Sequence, residues 1–250
     1  GMSSTGAARL AASAALRSGA GLVTLASPGS ALAVNAAHLT SVMLKRADDA
    51  DQIADFLRDK RFNTVIAGPG LGIDGPARRK IETVLRAKRL TVLDADALTV
   101  FRDDPQTLFA ALKKLRKNAV LTPHSGEFGR LFPDLQADPS KLENARQAAL
   151  KSNAVVVLKG ADTVIAAPDG AAAIDTNGTP WLATAGSGDV MAGMVLAMLA
   201  QGLGGFDAGC IAVWMHGQAA KLFGPGLIAE DLPELIPEVL EELQEYGVSP

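Results

Sequence analysis

The chain has 250 residues, enough for one large α/β domain that buries most of the surface exposed by its unfolded form. Hydrophobic residues make up 48% and aromatic residues 4%, which indicates an aliphatic, alanine-rich core typical of layered α/β proteins. The net charge of −3 shows no basic character and argues against a nucleic-acid or anionic-membrane partner.

Cysteine usage and apolar runs exclude further classes of protein. Cys210 is the only cysteine, so an intrachain disulfide and a cysteine-based zinc site are excluded, and a reducing cytoplasm is the expected location. No apolar run reaches the roughly 18 residues that span a bilayer, and we see no signal peptide. We interpret Gly1, which precedes Met2, as a remnant of a removed tag.

Short β-branched or apolar runs alternate with helix-like segments along most of the chain. The runs are GLVTLAS at 21–27, NTVIAG at 63–68, LTVLDA at 90–95, AVLT at 119–122 and AVVVLK at 154–159. This alternation predicts a mostly parallel sheet with helices on both faces.

Three intervening helices carry start signals. Gly75-Pro76 places a proline near a first turn, and Asp104-Pro105 joins an N-cap residue to a proline at the first helical position. The segment from Ser140 to Glu143 fits a capping box.

The pattern changes after residue 159. Alternating apolar residues around Pro168-Asp169-Gly170 predict a β-hairpin and therefore an antiparallel edge. We then expect helices over 189–201 and 207–223, and an acidic helix that ends near Tyr246. Pro233 and Pro237 are expected to break this last helix or to begin turns in it.

The stretch TAGSGDVMAG at 184–193 joins a glycine turn to an apolar helix. Glycine leaves backbone N–H groups uncovered, and a helix N-terminus carries about half a unit of positive charge, so Gly186, Ser187 and Gly188 can hold an anion. Asp189 is either the N-cap of this helix or a general base beside a phosphoryl group in transfer.

Six segments together resemble the ADP- or ATP-dependent NAD(P)H-hydrate dehydratases of the ribokinase-like superfamily. They are GAARLAASAALRSGAGLVTLASP from Gly6, AGPGLG from Ala67, VLDADAL from Val92, LTPHSGE from Leu121, VVVLKGADTVIAAPDG from Val155 and NGTPWLATAGSGDVMAGM from Asn177. The resemblance implies one domain over 1–250 with a three-layer α/β/α sandwich, mostly parallel, with an antiparallel hairpin edge.

The resemblance also implies an activity. Enzymes of this family use a nucleotide to remove water from NADH or NADPH that has been hydrated on the nicotinamide ring. Hydroxide leaves poorly, so the ring hydroxyl is first converted to a phosphate ester, which then departs. ADP or ATP would be the co-substrate, with Mg²⁺.

The resemblance assigns residues to this chemistry. Asp189 would take the hydroxyl proton, with the amides of 186–188 as an anion hole. The nucleotide would bind to five consecutive residues and to the last glycine of the turn: Lys159, Gly160, Ala161, Asp162, Thr163 and Gly188. The hydrate would contact Ala7, Gly68, Gly70, Gly72, His124 and Asp189.

The sequence leaves the roles of several other polar residues open. Glu127 either orients magnesium-bound phosphates or caps the following helix, so the metal ligands stay unassigned. Asp94 and Asp96 place carboxylates near the site, and they point the same way only if the strand continues through both. His216 lies on an apolar helix face, where packing in the core or beside adenine is expected rather than chemistry.

The sequence also departs from the family pattern. Members usually have a strand and a glycine-rich turn before the segment equivalent to Gly6-Ala7, and this sequence lacks both. Either a neighbouring subunit or an altered edge is expected to complete the sheet, or the sequence begins late and activity is impaired. The epimerase domain fused to some members is absent, which makes a separate epimerase the expected pathway partner. Symmetric assemblies, often tetramers, are typical of the family.

Two other functions compete with dehydration. A small-molecule kinase of the same superfamily, acting on a vitamin-precursor alcohol, would share GSGD but has less reason to carry TPHSGE together with AGPGLG. A nucleotide-binding protein without turnover is the second alternative.

Overall fold

A computed structural model describes residues 4–115, 119–135 and 139–245. In these ranges the strands are β1 (Thr24–Ser27), β2 (Met43–Arg46), β3 (Thr64–Ala67), β4 (Leu90–Leu93), β5 (Ala119–Leu121), β6 (Val155–Leu158), β7 (Val164–Ala166) and β8 (Ala172–Ile174). The helices are α1 (Gly6–Arg17), α2 (Gly29–His38), α3 (Ala50–Phe56), α4 (Gly75–Arg86), α5 (Asp96–Thr99), α6 (Pro105–Lys113), α7 (Ser125–Leu131), α8 (Lys141–Ser152), α9 (Ser187–Ala200), α10 (Gly205–Phe223) and α11 (Asp231–Glu245).

The main sheet has six strands in the order β3-β4-β5-β6-β7-β8. The first four strands are parallel, whereas β7 is antiparallel to both β6 and β8. The predicted hairpin is confirmed: its turn is closed by a 2.8 Å hydrogen bond from the Ala167 N–H to the Ala171 carbonyl, and Gly170 has φ 97°. The mostly parallel sheet with an antiparallel edge is therefore confirmed.

Two apolar clusters pack on opposite faces of this sheet. Val155 and Val157 of β6 belong to the cluster formed with α9 and α10, whereas Val156 and Leu158 belong to the cluster formed with α4 to α8. All four residues of β6 are buried, as expected for a parallel strand covered on both faces. This alternation establishes the three-layer α/β/α sandwich.

The first predicted strand does not join the main sheet. β1 pairs only with β2, in a separate two-stranded parallel sheet. Placing residues 21–27 in the main sheet was therefore wrong, because the hydrogen bonds of β1 go to β2, a strand we did not predict. An apolar cavity of about 600 Å³ lies between β1 and β3, and both strands line it. We call it the β1–β3 gap.

The predicted helix starts agree closely with the structure. Asp74 caps α4 by accepting a 2.8 Å hydrogen bond from the Ala77 N–H, and Asp104 caps α6 immediately before a proline. The Ser140 hydroxyl accepts a hydrogen bond from the Glu143 N–H, as in the first half of a capping box. Among the described residues, no helix is both long enough and apolar enough to cross a membrane.

Pro237 does not break the last helix. α11 continues through it, and Pro233 lies in the first turn, where a missing N–H costs little. Leu232, Ile236 and Val239 are fully buried in the cluster with α9 and α10, so packing compensates for the hydrogen bond that Pro237 removes. The predicted end near Tyr246 lies outside the described residues.

Candidate active site

The candidate site lies at the carboxyl edge of the parallel strands. Consecutive neighbours β3, β4, β5 and β6 end in the segments 68–72, 94–96, 122–127 and 159–163, which the sequence analysis had singled out. Open α/β sheets bind ligands at this edge because the loops there come together above the strand ends. The sheet order therefore brings four separate motifs to one place.

The glycine turn begins α9 without a side-chain cap. Gly186 is the N-cap residue, with φ 92° in the left-handed region. The Ser187 hydroxyl donates a 2.7 Å hydrogen bond to the Leu182 carbonyl, so this side chain supports the turn. The Ser187 N–H donates a long, 3.4 Å hydrogen bond to the Thr184 carbonyl. No side chain covers the helix end, so the other amides of the first turn can face an anion, as the anion-hole hypothesis requires.

Asp189 lies three residues after the N-cap, so the alternative that Asp189 is itself the cap is wrong. Burial raises its pKa to about 6, and the negative charge of Asp94 adds to this effect. The positive charge of Lys159 acts in the opposite direction, while Glu127 and Asp96 contribute smaller upward effects. A carboxylate with a pKa near the working pH is suited to general base catalysis.

Lys159 is held beside the glycine turn by a buried carboxylate. Its Nζ lies 2.8 Å from Asp94 Oδ1, and Asp94 is only 2% exposed. The same Oδ1 accepts a 2.8 Å hydrogen bond from the Thr122 hydroxyl. A Cβ placed on Gly188 would lie 3.2 Å from Lys159 Nζ, so the ammonium group lies directly over the turn.

The AGPGLG loop needs its glycines for close approach. A Cβ on Gly68 would lie 1.7 Å from the Asp94 carbonyl oxygen, and a Cβ on Gly70 would lie 2.6 Å from the Ser4 carbonyl oxygen. The Gly72 N–H donates a 2.8 Å hydrogen bond to Asp96 Oδ2. These contacts explain the loop sequence structurally and fix it beside the residues that follow β4.

Asp94 and Asp96 point in different directions because β4 ends before them. Between them, Ala95 has φ 50°, a left-handed conformation that is strained for a residue other than glycine. Asp94 faces Lys159 and Asp96 faces the Gly72 amide. The two side chains would point the same way only if β4 continued through both residues, and β4 ends at Leu93.

His124 and Glu127 form the reciprocal cap of α7. His124 Nδ1 accepts hydrogen bonds from the Gly126 and Glu127 N–H groups, and Glu127 Oε2 accepts one from the His124 N–H. Of the two roles considered for Glu127, the structure shows helix capping. His124 remains 52% exposed, so part of its ring is accessible to a ligand.

The segment Lys159–Thr163 forms a tight turn after β6. The Thr163 hydroxyl donates a 3.0 Å hydrogen bond to the Gly160 carbonyl, so this side chain shapes the turn. Lys141 Nζ donates to the Asp162 carbonyl at 2.7 Å and to Asp162 Oδ1 at 2.8 Å. A second lysine therefore stands next to this turn.

Helices α1 and α9 run side by side in the same direction. Ala11 packs against Gly193, where an added Cβ would lie 2.2 Å from the Ala11 carbonyl oxygen, and the Ser18 carbonyl accepts a hydrogen bond from Gln201. This register places Ala7, one turn before Ala11, at the level of Asp189, one turn before Gly193. Leu10 of α1 reaches the glycine turn, where its Cδ1 would lie 2.7 Å from a Cβ on Gly186, so the helix that contains Ala7 borders the site.

His216 is buried beneath the glycine turn. It is 6% exposed, its ring is hydrogen-bonded to the Ser187 backbone, and burial lowers its pKa to about 4. The imidazole is therefore neutral at physiological pH and supports the helix start from inside the core. This confirms the expectation that His216 packs in the core.

The described residues contain no group of three or more histidine, cysteine or carboxylate side chains able to hold a metal ion. Glu127, the only side chain considered for magnesium, is occupied as a helix cap. Mg²⁺ usually retains several waters and binds through substrate phosphates with one or two carboxylates. A magnesium ion at this site would therefore take most of its ligands from nucleotide phosphates and water.

Sequence reasoning missed two polar residues of the site. Thr122 lies in the quoted LTPHSGE segment, but only the structure shows its hydroxyl on Asp94. Lys141 follows the capping serine of α8 and has no motif, so no sequence signal connects it with Asp162.

The model of the family described as NAD(P)H-hydrate dehydratase matches residues 1–240. The chain belongs to this family. An ADP-dependent (S)-NAD(P)H-hydrate dehydratase from Xanthomonas campestris is 33% identical, over 95% of this chain and 84% of that protein.

A second relative shows a different domain arrangement. The bifunctional NAD(P)H-hydrate repair enzyme Nnr of Gloeobacter violaceus is 39% identical over 86% of this chain but only 42% of that protein. The chain therefore spans about half the length of the bifunctional relatives that it matches.

Solved structures agree on the fold. The ADP/ATP-dependent NAD(P)H-hydrate dehydratase of Bacillus subtilis, crystallised with ATP and Mg²⁺, is 30% identical, with a TM-score of 0.79 over 96% of this chain and 86% of that chain. A ribokinase-like protein from Enterococcus faecalis, 23% identical, has a TM-score of 0.82 over 96% of this chain and 84% of that one and shows the shared ribokinase-like fold.

Proposed function

We propose that this chain uses ADP or ATP to dehydrate (6S)-NAD(P)H hydrate, releasing AMP or ADP, phosphate and restored NAD(P)H. One observation carries the proposal. Asp189, with a pKa of about 6, stands at the uncapped start of α9 beside the ammonium group of Lys159. A base, a cation and free amides at one point are the groups that phosphoryl transfer to a hydroxyl requires.

In the first step, ionised Asp189 accepts the proton of the ring hydroxyl. The hydroxyl oxygen attacks the terminal phosphorus of the nucleotide, and the bond from this phosphorus to the bridging oxygen breaks, so AMP or ADP leaves. Amides of residues 186–188 and the Lys159 ammonium group would stabilise the negative charge on the transferred group. Only positioning and electrostatics are required of the protein.

In the second step, the carbon–oxygen bond to the phosphate breaks while the ring nitrogen supplies an electron pair. Loss of a proton from the adjacent ring carbon then restores the double bond of the reduced nicotinamide. Phosphate leaves far more readily than hydroxide, which is why the nucleotide is consumed.

The two ligands would approach from different sides of Asp189. We place the AMP portion at Lys159, Gly160, Ala161, Asp162 and Thr163, with Gly188 next to the phosphates. The hydrate would face Ala7, the loop of Gly68, Gly70 and Gly72, and the accessible part of His124. Supporting this division, the segments lie after β6 on one side and after β3 and β5 on the other.

Magnesium would enter with the nucleotide phosphates and neutralise part of their charge. Solved relatives crystallised with ATP and Mg²⁺ support this assignment. Symmetric assembly, a separate epimerase and a cytoplasmic location remain predictions for this chain.

The decisive experiment incubates the purified chain with hydrated NADH and with ADP or ATP. We expect phosphate release and recovery of reduced-nicotinamide absorbance in equal amounts, both requiring nucleotide. A stable phosphorylated alcohol would indicate a small-molecule kinase instead. Tight ADP or AMP binding with no hydrate-dependent phosphate release would indicate a nucleotide-binding protein without turnover. Comparing the two nucleotides, and hydrated NADH with hydrated NADPH, identifies the preferred pair.

A further inference from the structure

A buried chain of three side chains ends at the glycine turn. Thr122 follows β5, Asp94 follows β4 and Lys159 follows β6, so three neighbouring strands contribute one residue each. Thr122 and Asp94 are 0% and 2% exposed. The Lys159 side chain is 18% exposed. An ion pair with one partner this deeply buried is weak evidence for stability, because desolvation cancels much of the attraction.

The backbones of the three residues are fixed as well. The Lys159 N–H donates a 2.9 Å hydrogen bond to the Pro123 carbonyl, and the Thr122 N–H donates a 3.1 Å bond to the Leu93 carbonyl. The Asp94 N–H bonds to the Ala67 carbonyl at 3.2 Å. The carboxylate therefore has little freedom to move, and it draws the lysine ammonium to one position.

That position is over Gly188. Lys159 Nζ, Cδ and Cε lie 3.2, 3.8 and 3.9 Å from where a Gly188 Cβ would stand. A free lysine side chain has many rotamers, and this freedom must be lost when it binds a phosphate. A lysine already held at the helix start has lost this freedom before the ligand arrives.

We propose that Asp94, oriented by Thr122, is a positioning residue that holds the Lys159 ammonium group over the glycine turn for the phosphoryl group. The proposal deepens the proposed function and rests on it. Asp94 itself is too deeply buried to meet the substrate and acts only through the lysine. Its Oδ1 accepts from both neighbours, so it sets the direction of the lysine donors.

A double-mutant cycle tests this dependence. Asp94→Asn retains the shape of the side chain, and we expect a loss of kcat of about 100-fold, because a displacement of about 1 Å costs that much. Lys159→Met should lower kcat further. In the Lys159→Met background, adding Asp94→Asn should change kcat and the Kd for ADP little, since Asp94 acts through a group already removed. Independent, additive effects of the two substitutions would overturn the proposal.

Thr122 offers a second variant that keeps the ion pair itself. Thr122→Val removes the hydroxyl with little change in shape and should lower kcat, whereas Thr122→Ser, which retains the hydroxyl, should restore most of it. Equal kcat for wild type, Thr122→Val and Thr122→Ser would contradict the orienting role. The matched control is Asp134→Asn, which breaks the Lys151–Asp134 ion pair away from the site and should leave kcat unchanged.

A measurement without turnover separates this inference from the proposed function. Four charged groups face Asp189: Asp94, Lys159, Glu127 and Asp96. In a carbon-13 NMR titration, Asp94→Asn should move the titration of Asp189 to lower pH and Lys159→Met should move it to higher pH. Shifts in the same direction, or none, would overturn the placement of the lysine. Wild-type protein without hydrate-dependent phosphate release would overturn the proposed function, while this titration and the ADP cycle would still decide the inference.

Discussion

The site at the strand ends and the β1–β3 gap are neighbouring regions with opposite chemistry. The gap has a volume of about 600 Å³, and residues such as Leu25, Val65 and Ile66 make it mainly apolar. The site instead contains buried Asp94, half-buried Asp189 and the Lys159 ammonium group. Gly68, Pro69 and Leu71 line the gap and also belong to the loop at the site.

The volume of a cavity does not by itself identify the reactive site of this protein. A large apolar cavity is the usual first candidate for a binding site, and this one is lined mainly by apolar side chains. The raised pKa of Asp189 indicates that the site at the strand ends is the reactive region. Burial and neighbouring charges often shift the pKa of a catalytic group in this way. Because the loop at 68–72 belongs to both regions, a substitution in the gap can alter the geometry of the site through this loop.

The largest effect should come from removing the base. We expect Asp189→Asn to lower kcat by about 10²- to 10⁴-fold, the usual contribution of a general base, with the Kd for ADP within about threefold of wild type. Steady-state kinetics and calorimetry measure the two quantities. Retained activity would show that the polar region is not the reactive one, and loss of folding would return Asp189 to a structural role.

The shared loop should be the next most sensitive point. Gly68→Ala forces a Cβ to within 1.7 Å of the Asp94 carbonyl oxygen, so we expect a loss of about 3 kcal/mol or more in the free energy of unfolding. Gly72→Ala is the matched control. Gly72 has φ 91° and no atom within 4 Å of an added Cβ, so only backbone strain of about 1 kcal/mol applies. Denaturant unfolding of both variants tests the contrast, and equal losses would contradict it.

The pH dependence of activity should report the polar region alone. Because Asp189 must be ionised and its pKa is about 6, we expect kcat/KM to fall as pH drops through about 6. Stability should show the opposite trend, since folding raises this pKa from 3.8 and the folded state therefore favours the protonated form. This contribution to stability is present below pH 4 and is lost as pH rises through about 6.

The Asp189→Asn variant checks the sign. Its melting temperature relative to wild type should be higher at pH 8 than at pH 4, because the buried charge is gone. The same difference at both pH values would show that Asp189 is not desolvated in the folded protein.

The smallest effect is expected in the gap. Ala26 of β1 lines the cavity, and Ala26→Val adds apolar volume with a residue that favours strands. We expect a gain of about 0.5–1 kcal/mol in the free energy of unfolding, as cavity-filling changes commonly produce, with kcat unchanged. A large loss of activity would show that the gap and the site are coupled.

Sequence alone determined much of the sandwich and most of the site. Buried strands such as β6 read as unbroken apolar runs, and tight turns with positive φ at their ends accept few residues other than glycine. The GSGD, TPHSGE and AGPGLG segments therefore identified both the edge of the sheet and the family. Buried strands and glycine turns depend mainly on residues that are adjacent in the sequence, so the sequence alone is enough to predict them.

The tertiary structure decided what depends on distant partners. β1 pairs with β2 and not with the main sheet, and the sequence of β1 alone does not indicate which strand will be its partner. Continuation of α11 through Pro237 reflects its packing on α9 and α10. The Thr122–Asp94–Lys159 chain joins residues 28 and 65 positions apart, and their hydrogen bonds exist only because β4, β5 and β6 are adjacent.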